Sequence, residues 1–260
     1  MRSVTTSVVV DCTIPPPNHI LPIMTSKNIK QELVDRRCLN FSGQGGVPRC
    51  QWVGTSGAHL DGYFCLDPAS PDTRFMRRLA RELVAPFTGQ GIRAVVTPAI
   101  GSISLGAFAA DALMEADGAG TVWSLWADKL ETGAIAKNFG LIRPTFASRV
   151  QGMNTLIVED IINRRYTATK VKECVQQAGG VVVGMATAVA LQDVHAANLG
   201  VPRLHALCNI AYNSWAPEQC AQEGPCSRNE PFVVDEGLGH GDAYQQKHPL
   251  YGGGFIKLLQ

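Results

Sequence analysis

Residues 155–170 read Thr-Leu-Ile-Val-Glu-Asp-Ile-Ile-Asn-Arg-Arg-Tyr-Thr-Ala-Thr-Lys, and this stretch decides the fold. The apolar run Leu156 to Val158 predicts a buried strand, and two adjacent carboxylates, Glu159 and Asp160, follow it. A polar, cationic turn comes next, and a helical pattern begins at Ala168. This order of strand, acidic pair, turn and helix is typical of an open α/β sheet, in which ligands bind outside the carboxyl ends of the strands.

The chemistry of this stretch suits a ligand that combines a phosphate, a sugar and a divalent cation. A helix amino terminus binds anions through its unpaired N–H groups, and Arg164 and Arg165 add guanidinium groups that match phosphate oxygens. Thr167 is predicted to cap the helix or to donate its hydroxyl to the same anion. The two carboxylates can accept hydrogen bonds from sugar hydroxyls or face Mg²⁺. The alternative is a solvated turn between a core strand and a surface helix.

The string Leu-Ile-Val-Glu-Asp-Ile-Ile with Thr167 resembles the phosphoribosyl-diphosphate (PRPP) motif of type I phosphoribosyltransferases, and within them the orotate branch. In that family the turn after the acidic pair is rich in Thr, Gly and Ser, and its backbone cradles the 5′-phosphate. The turn here has no glycine, so arginine side chains would have to replace part of that cradle. The resemblance implies that PRPP is bound by Glu159, Asp160, Asn163, Arg164, Arg165, Tyr166 and Thr167.

A second motif, Val-Val-Thr-Pro-Ala-Ile-Gly-Ser-Ile-Ser-Leu-Gly-Ala at residues 95–107, also resembles the family. It predicts a strand over 94–97, a helix over 104–114 and a loop between them. The resemblance implies that this loop binds the pyrophosphate of PRPP through backbone amides, often beside a non-proline cis peptide. The residues concerned are Ala99, Ile100, Gly101 and Ser102. An ordinary strand-to-helix turn is the alternative.

A third strand is predicted over 121–127 and ends in Asp128-Lys129. Because the family commonly has a lysine here, at the base of a mobile loop, the resemblance implies that Lys129 is catalytic together with Asp160. Lys129 would stabilise charge on the departing pyrophosphate. The alternative is a solvent-exposed lysine at a strand end.

The base that accepts the ribose phosphate is left open. The orotate branch usually has an Asp-His-Gly sequence in the loop after the lysine, and residues 130–140 lack it. Its members also often place an arginine after the strand predicted over 181–189, whereas residues 190–193 read Ala-Leu-Gln-Asp.

Residues 39–72 are rich in glycine and turns, and they resemble the amino-terminal hood that covers the base pocket in this family. Tyr63 and Phe64 are predicted to bind the base, with a place in the core as the alternative. His59 is predicted to be a surface histidine.

The predicted organisation is a loose extension over 1–25, a hood over 26–72, a phosphoribosyltransferase core over 73–210 and an irregular carboxyl-terminal extension over 211–260. An amphipathic helix is predicted over 73–87, a helix over 168–178 and a further strand over 204–210. The carboxyl-terminal extension is expected to cover the edge of the sheet, and residues 1–23 could be an upstream mis-start.

Composition excludes several classes of protein. A net charge of +1 with 17% charged residues gives no sign of nucleic-acid binding, and no apolar run approaches the ~20 residues of a membrane helix. The eight cysteines include no Cys-x-x-Cys pair. Cys220 and Cys226, with five residues between them, are expected to be ordinary reduced thiols of a cytoplasmic protein rather than metal ligands.

The sequence thus predicts an α/β, type I phosphoribosyltransferase fold, with a central, mostly parallel sheet flanked by helices. The resemblance implies a glycosyltransferase (pentosyltransferase) that moves ribose 5-phosphate from PRPP to a nitrogenous base, orotate first, with Mg²⁺ bound near Asp160 through PRPP. It also implies a homodimer. Two alternatives stay open: a non-catalytic PRPP-binding regulatory module, and a phosphoribosyltransferase for a purine or uracil.

Overall fold

The computed structural model of the protein describes residues 26–118, 120–130, 138–163, 165–191 and 193–259, with side chains from residue 29 onwards. The extension predicted over 1–25 and the predicted phosphate ligand Arg164 lie outside the described residues.

Short strands and helices surround a set of longer parallel strands. The strands are β1 Leu39–Phe41, β2 Trp52–Val53, β3 His59–Leu60, β4 Gly62–Phe64, β5 Ala94–Pro98, β6 Trp123–Lys129, β7 Phe139–Gly140, β8 Asn154–Ile162, β9 Val181–Leu191, β10 Leu204–Ile210, β11 Ser214–Trp215, β12 Phe232–Val233 and β13 Phe255–Ile256. The helices are α1 Ser26–Asp35, α2 Thr73–Val84, α3 Ile103–Asp117, α4 Phe146–Val150, α5 Tyr166–Gln177, α6 Ala196–Leu199, α7 Pro217–Glu223 and α8 Gly241–Lys247, with 3-10 turns at Ala85–Phe87 and Pro225–Arg228.

The central sheet has six strands in the order β10-β9-β8-β5-β6-β7. All neighbours pair in parallel except β6 and β7, which are antiparallel. Because parallel strands share one carboxyl-terminal edge, the residues that end β5, β6 and β8 meet there. The predicted α/β fold with a mostly parallel sheet is confirmed.

Both faces of the sheet are buried, which explains why its strands read as continuous apolar runs. Val95 and Val158 belong to one core with α1, α2 and α3, whereas Val96 and Ile157 belong to a second core with α5. Neighbouring residues of a strand point to opposite faces, so each run supplies both cores at once.

Helix α2 begins at the predicted residue because Asp72 caps it, accepting hydrogen bonds from the N–H groups of Arg74 and Phe75 at 3.0 and 3.1 Å. It ends at Val84 rather than at Phe87, and the last turn is a 3-10 turn with Pro86 in it.

The carboxyl-terminal segment packs on the hood, so the prediction that it covers the edge of the central sheet is wrong. Trp52 and Leu60 of the hood share a third core with Val233 and Leu238. Strand β11 pairs with β3 inside the hood's own small sheet. Within the described ranges, none of the helices is both long and apolar enough to cross a bilayer.

Candidate active site

A cavity of about 630 Å³ opens at the carboxyl edge of the sheet, between β8, α5 and the hood. Residues predicted to bind substrate or to act in catalysis line it at nine positions: Tyr63, Phe64, Lys129, Glu159, Asp160, Asn163, Arg165, Tyr166 and Thr167. Residues separated by about a hundred positions in the sequence thus line the same cavity. The size suits a drug-sized or nucleotide-sized ligand.

The acidic pair lies inside strand β8, which runs on to Ile162, whereas the sequence predicted that the pair follows the strand at its carboxyl end. Glu159 is buried, with 7% of its surface exposed, and Asp160 is half-buried. Within the described residues, Glu159 Oε2 has no hydrogen-bond partner. A buried carboxylate oxygen without a partner in the protein is disposed to receive a ligand hydroxyl or a cation.

Burial raises the pKa of both carboxyls. For Glu159 the negative charge of Asp160 adds to the effect of burial. For Asp160, hydrogen bonds from the N–H of Ile161 and from the Ser102 hydroxyl stabilise the ionised form and offset part of the rise in its pKa. The pair therefore holds protons more tightly than free carboxyls do, and a ligand with a positive charge would release them.

The loop over 98–102 lies against the acidic pair. Ser102 Oγ and Asp160 Oδ1 are 3.1 Å apart, and the N–H of Asp160 donates to Ser102 Oγ at 3.0 Å. Ser102 is 1% exposed, so its hydroxyl is used inside the protein to position Asp160. Ile100 is exposed, and the Ala99–Ile100 peptide is cis. None of Ala99, Ile100, Gly101 and Ser102 lines the cavity described above, and their contact with PRPP stays a prediction.

Helix α5 points its amino terminus at the cavity. It begins at Tyr166, two residues before the predicted start at Ala168, so Thr167 lies in the first turn and is not the cap. The cap is Arg165, whose φ is +61°. A left-handed backbone is usually left to glycine, and for another residue it costs about 1–2 kcal/mol. Arg165 thus adopts, without being a glycine, the kind of backbone conformation that glycine supplies in phosphate-binding loops.

Lys129 ends strand β6 and lines the cavity with an exposed side chain. Beside it, Asp128 accepts two hydrogen bonds from Arg143, each 2.9 Å long. The Arg143 guanidinium holds the pKa of Asp128 below its ordinary value. Asp128 is thereby committed to Arg143, while Lys129 faces the cavity.

Tyr63 and Phe64 of the hood line the cavity together with the acidic pair, and their contact with the base stays a prediction. Phe64 is also part of the core formed by α1, α2 and α3, which is the alternative that the sequence left open for this residue. Tyr212 was not predicted, yet it lines the cavity and its hydroxyl accepts a hydrogen bond of 2.9 Å from Asn163 Nδ2. Its position just after strand β10 is the signal that could have found it.

His59 is 1% exposed, so the prediction of a surface histidine is wrong. Strand β3, which begins with His59, is the middle strand of the sheet β11-β3-β2. The imidazole packs edge-on against the rings of Phe232 and Tyr244, with centroids 4.9 and 5.3 Å away.

No protein-family model matches the chain. The chain is similar in sequence to curated orotate phosphoribosyltransferases. The one from Pelotomaculum thermopropionicum is 34% identical over 167 residues, covering 64% of this chain and 79% of its own. The one from Desulforamulus reducens is 31% identical over 204 residues, covering 78% of this chain and 95% of its own. The chain belongs to the orotate phosphoribosyltransferase family.

A solved member of the orotate phosphoribosyltransferase family has the same fold. It is the enzyme from Mycobacterium tuberculosis in complex with Fe(III) dicitrate, at 21% identity and a TM-score of 0.50. The alignment covers 70% of this chain and 96% of that one.

Within the orotate phosphoribosyltransferase family, the glycine-free turn of this chain is a departure from the usual motif, and its backbone explains how it is accommodated. The positive φ of Arg165 provides the bend, and Thr169 N–H then donates to Arg165 O at 2.9 Å to start the helix. A motif defined by residue type alone would reject a turn that the backbone geometry allows.

We expect Glu159→Gln to make the free energy of unfolding of the ligand-free protein less dependent on pH between about 5 and 8. The unfolded carboxyl ionises near its ordinary pKa of 4.5, whereas the folded protein keeps this proton to higher pH because burial raises the pKa of Glu159. As pH rises between the two pKa values, the wild type loses up to about 1.4 kcal/mol of stability per pH unit relative to the variant. Urea unfolding of both proteins at about pH 5 and pH 8 measures the difference.

The matched control is Glu236→Gln, because Glu236 is exposed in the carboxyl-terminal segment. It should leave the dependence of unfolding free energy on pH unchanged. Parallel profiles for the wild type and Glu159→Gln would show that the folded protein does not hold this proton.

Proposed function

We propose that the protein is a phosphoribosyltransferase that moves ribose 5-phosphate from PRPP to orotate and releases pyrophosphate. The observation that supports this most is the meeting of the Glu159–Asp160 pair, the amino terminus of α5 and Lys129 in one cavity under the hood. Each part matches one chemical feature of the two substrates.

The amino terminus of α5 suits the 5′-phosphate. Residues of the first helical turn line the cavity, so the unpaired N–H groups of that turn can bind an anion there, and Arg165 adds a guanidinium group. Glu159 and Asp160 suit the hydroxyls of the ribose ring, because ionised carboxylates only accept hydrogen bonds. The loop over 98–102 and Lys129 suit the pyrophosphate.

The donor set fits Mg²⁺, which the family resemblance implies. Glu159 offers a buried carboxylate oxygen without a partner among the described residues, and Asp160 lies next to it. Hard oxygen ligands of this kind, together with the substrate's phosphates, are what Mg²⁺ uses in proteins. When bound, the ion would neutralise charge on the pyrophosphate and so favour its departure.

The residues of the chain would then stabilise a transition state with positive charge on the sugar. The bond between ribose C1 and the pyrophosphate oxygen breaks, and the leaving oxygen keeps the electron pair. The bond between C1 and a nitrogen of the base forms, and that nitrogen gives its proton to solvent. Asp160 and Glu159 face the positive sugar, whereas Lys129 faces the negative pyrophosphate.

Transfer to another base, a purine or uracil, is the second candidate. One observation favours it: residues 190–193, at the carboxyl end of β9, contain no arginine to pair with the carboxylate of orotate. Tyr63 and Tyr212 line the base side of the cavity, and aromatic rings stack on any base.

The test is pyrophosphate release from PRPP and Mg²⁺ with orotate, uracil, adenine, hypoxanthine and guanine in turn. We expect release with orotate and its loss when EDTA removes the metal ion. Release with a different base would replace orotate by that base. Tight PRPP binding without release for any base would overturn the catalytic assignment in favour of a regulatory module.

A homodimer and a cytoplasmic location belong to the same proposal. They rest on the family resemblance, and sedimentation analysis of the purified chain tests the dimer.

A further inference from the structure

One side-chain cluster lies outside the cavity and has no part in the proposed chemistry. It brings His59 of the hood together with Cys220 and Cys226 of the carboxyl-terminal segment, and their ligand atoms all lie within 4.8 Å of one another. His59 Nδ1 is 3.2 Å from Cys226 Sγ, although the two residues are 167 positions apart. Cys220 belongs to α7 and Cys226 to the 3-10 turn that follows.

Gln51 presents an oxygen to both sulfur atoms. Its Oε1 lies 3.5 Å from Cys220 Sγ and 3.5 Å from Cys226 Sγ. The Gln51 amide cannot flip without losing the contacts of its Nε2, which donates to Glu230 O at 2.7 Å and lies 3.0 Å from Tyr251 Oη. Gln51 is itself fully buried.

The buried polar atoms of this cluster make few hydrogen bonds. His59 is 1% exposed, and its Nδ1 contacts sulfur, which is a weak hydrogen-bond partner. Among the described residues, His59 Nε2 has no hydrogen-bond partner. A buried imidazole with so little hydrogen bonding costs free energy unless a further group binds it.

The three side chains offer one imidazole nitrogen and two sulfur atoms, which are the ligand types that zinc takes in proteins. Cys226 is only half-buried, which leaves a route for an ion from solvent.

We propose that His59, Cys220 and Cys226 bind one Zn²⁺ ion or a divalent transition-metal ion of similar chemistry. Gln51 Oε1 would face the fourth coordination position. Zinc takes imidazole and thiolate ligands at about 2.0–2.1 and 2.3 Å in a tetrahedral arrangement, which places neighbouring ligand atoms about 3.5–3.8 Å apart. The observed separations lie around this range, from 3.2 Å between His59 Nδ1 and Cys226 Sγ to at most 4.8 Å within the cluster. Binding releases one proton from each thiol to solvent, so that two thiolates balance the charge of the ion.

The ion would join the hood to the carboxyl-terminal segment. His59 pairs with Trp215 across strands β3 and β11, and the next residue, Leu60, lines the cavity. A bond between this strand and α7 would therefore fix the wall that covers the substrate. The spacing of the two cysteines does not indicate this site in the sequence, because the third ligand, His59, lies far from them along the chain.

The first test measures metal in the full-length chain purified under reducing conditions. We expect about one zinc per chain and, after exchange with Co²⁺, the visible absorption bands of a tetrahedral cobalt–thiolate centre. Cys226→Ser and His59→Gln should each lose most of the metal and these bands. Cys174→Ala is the matched control, because Cys174 lies on α5 in the second core, and it should keep both.

The second test uses the wild type, so that a variant that fails to fold cannot decide the matter. Alkylation of Cys220 and Cys226, read by peptide mass spectrometry, should be slow with Zn²⁺ and at least about tenfold faster after chelation. Labelling of Cys174 should not change with metal. A wild type without stoichiometric metal, without cobalt–thiolate bands, or with a Cys220–Cys226 disulfide under reducing conditions would overturn the proposal.

Discussion

Asp160→Asn is expected to lower kcat for phosphoribosyl transfer by about 10²–10³-fold, the usual loss when one preorganised electrostatic group is removed from a reaction centre. Asn keeps Oδ1 to accept from Ser102, at the 3.1 Å separation seen for Asp160, so the local structure should persist. The substitution removes the negative charge opposite the developing positive charge on the sugar. Because that interaction is specific to the transition state, kcat and kcat/KM should fall by similar factors.

The matched control for this variant is Asp111→Asn, the same chemical change at a half-buried position on the surface of α3, where Asp111 pairs with Arg77. It should leave kcat within about twofold of the wild type, since exposed ion pairs contribute little. Full activity of Asp160→Asn, with unchanged stability, would remove Asp160 from the catalytic machinery and with it the role assigned to the acidic pair.

The parts of this site that the sequence predicted are those fixed by local pattern. An apolar run such as Leu156 to Val158 predicts a strand, and parallel strands bring the residues at their carboxyl ends to one edge of the sheet. This was enough to place Glu159, Asp160 and Lys129 in the same cavity. It was also enough for the predicted strand over 204–210, which the structure has with the same bounds.

The start of α5 was misjudged because its signals are unusual. Arg165 caps the helix through a left-handed backbone and without any side-chain bond, so the preference for Ser, Thr, Asp or Asn at this position gave no help. Thr167, the residue that did match the preference, lies too far along the chain to be the cap. A single sequence does not reveal which non-glycine residue will adopt a positive φ.

Contacts between distant segments were missed for a different reason. Ser102 and Asp160 are 58 positions apart, and nothing in the sequence around Ser102 indicates that its hydroxyl bonds to Asp160. His59 was taken for a surface residue because a two-residue strand carries no periodic pattern. Its side chain contacts Cys226, Phe232 and Tyr244, which belong to the carboxyl-terminal segment.

The second large effect concerns Gly106, where α3 packs on β5 beneath the loop over 98–102. We expect Gly106→Ala to destabilise the protein by about 1–3 kcal/mol, although alanine alone would favour the helix by roughly 1 kcal/mol. An added Cβ would lie 2.4 Å from Thr97 Cγ2. Thr97 is 1% exposed and β-branched, so it has little room to move aside. Urea unfolding measures the loss.

The double variant Thr97→Ser/Gly106→Ala separates this collision from other causes. Serine removes Cγ2 and keeps the hydroxyl that lies 3.5 Å from Leu125 O, so the new methyl gains the space it needs. We expect it to recover most of the lost stability, giving a coupling free energy of about 1–2 kcal/mol between the two sites. We also expect Gly106→Ala to lower turnover and the double variant to restore it, because Ser102, which contacts Asp160, caps the helix that would have to move. If Gly106→Ala alone were as stable as the wild type, the loop over 98–102 would not be positioned by the close packing of α3 on β5.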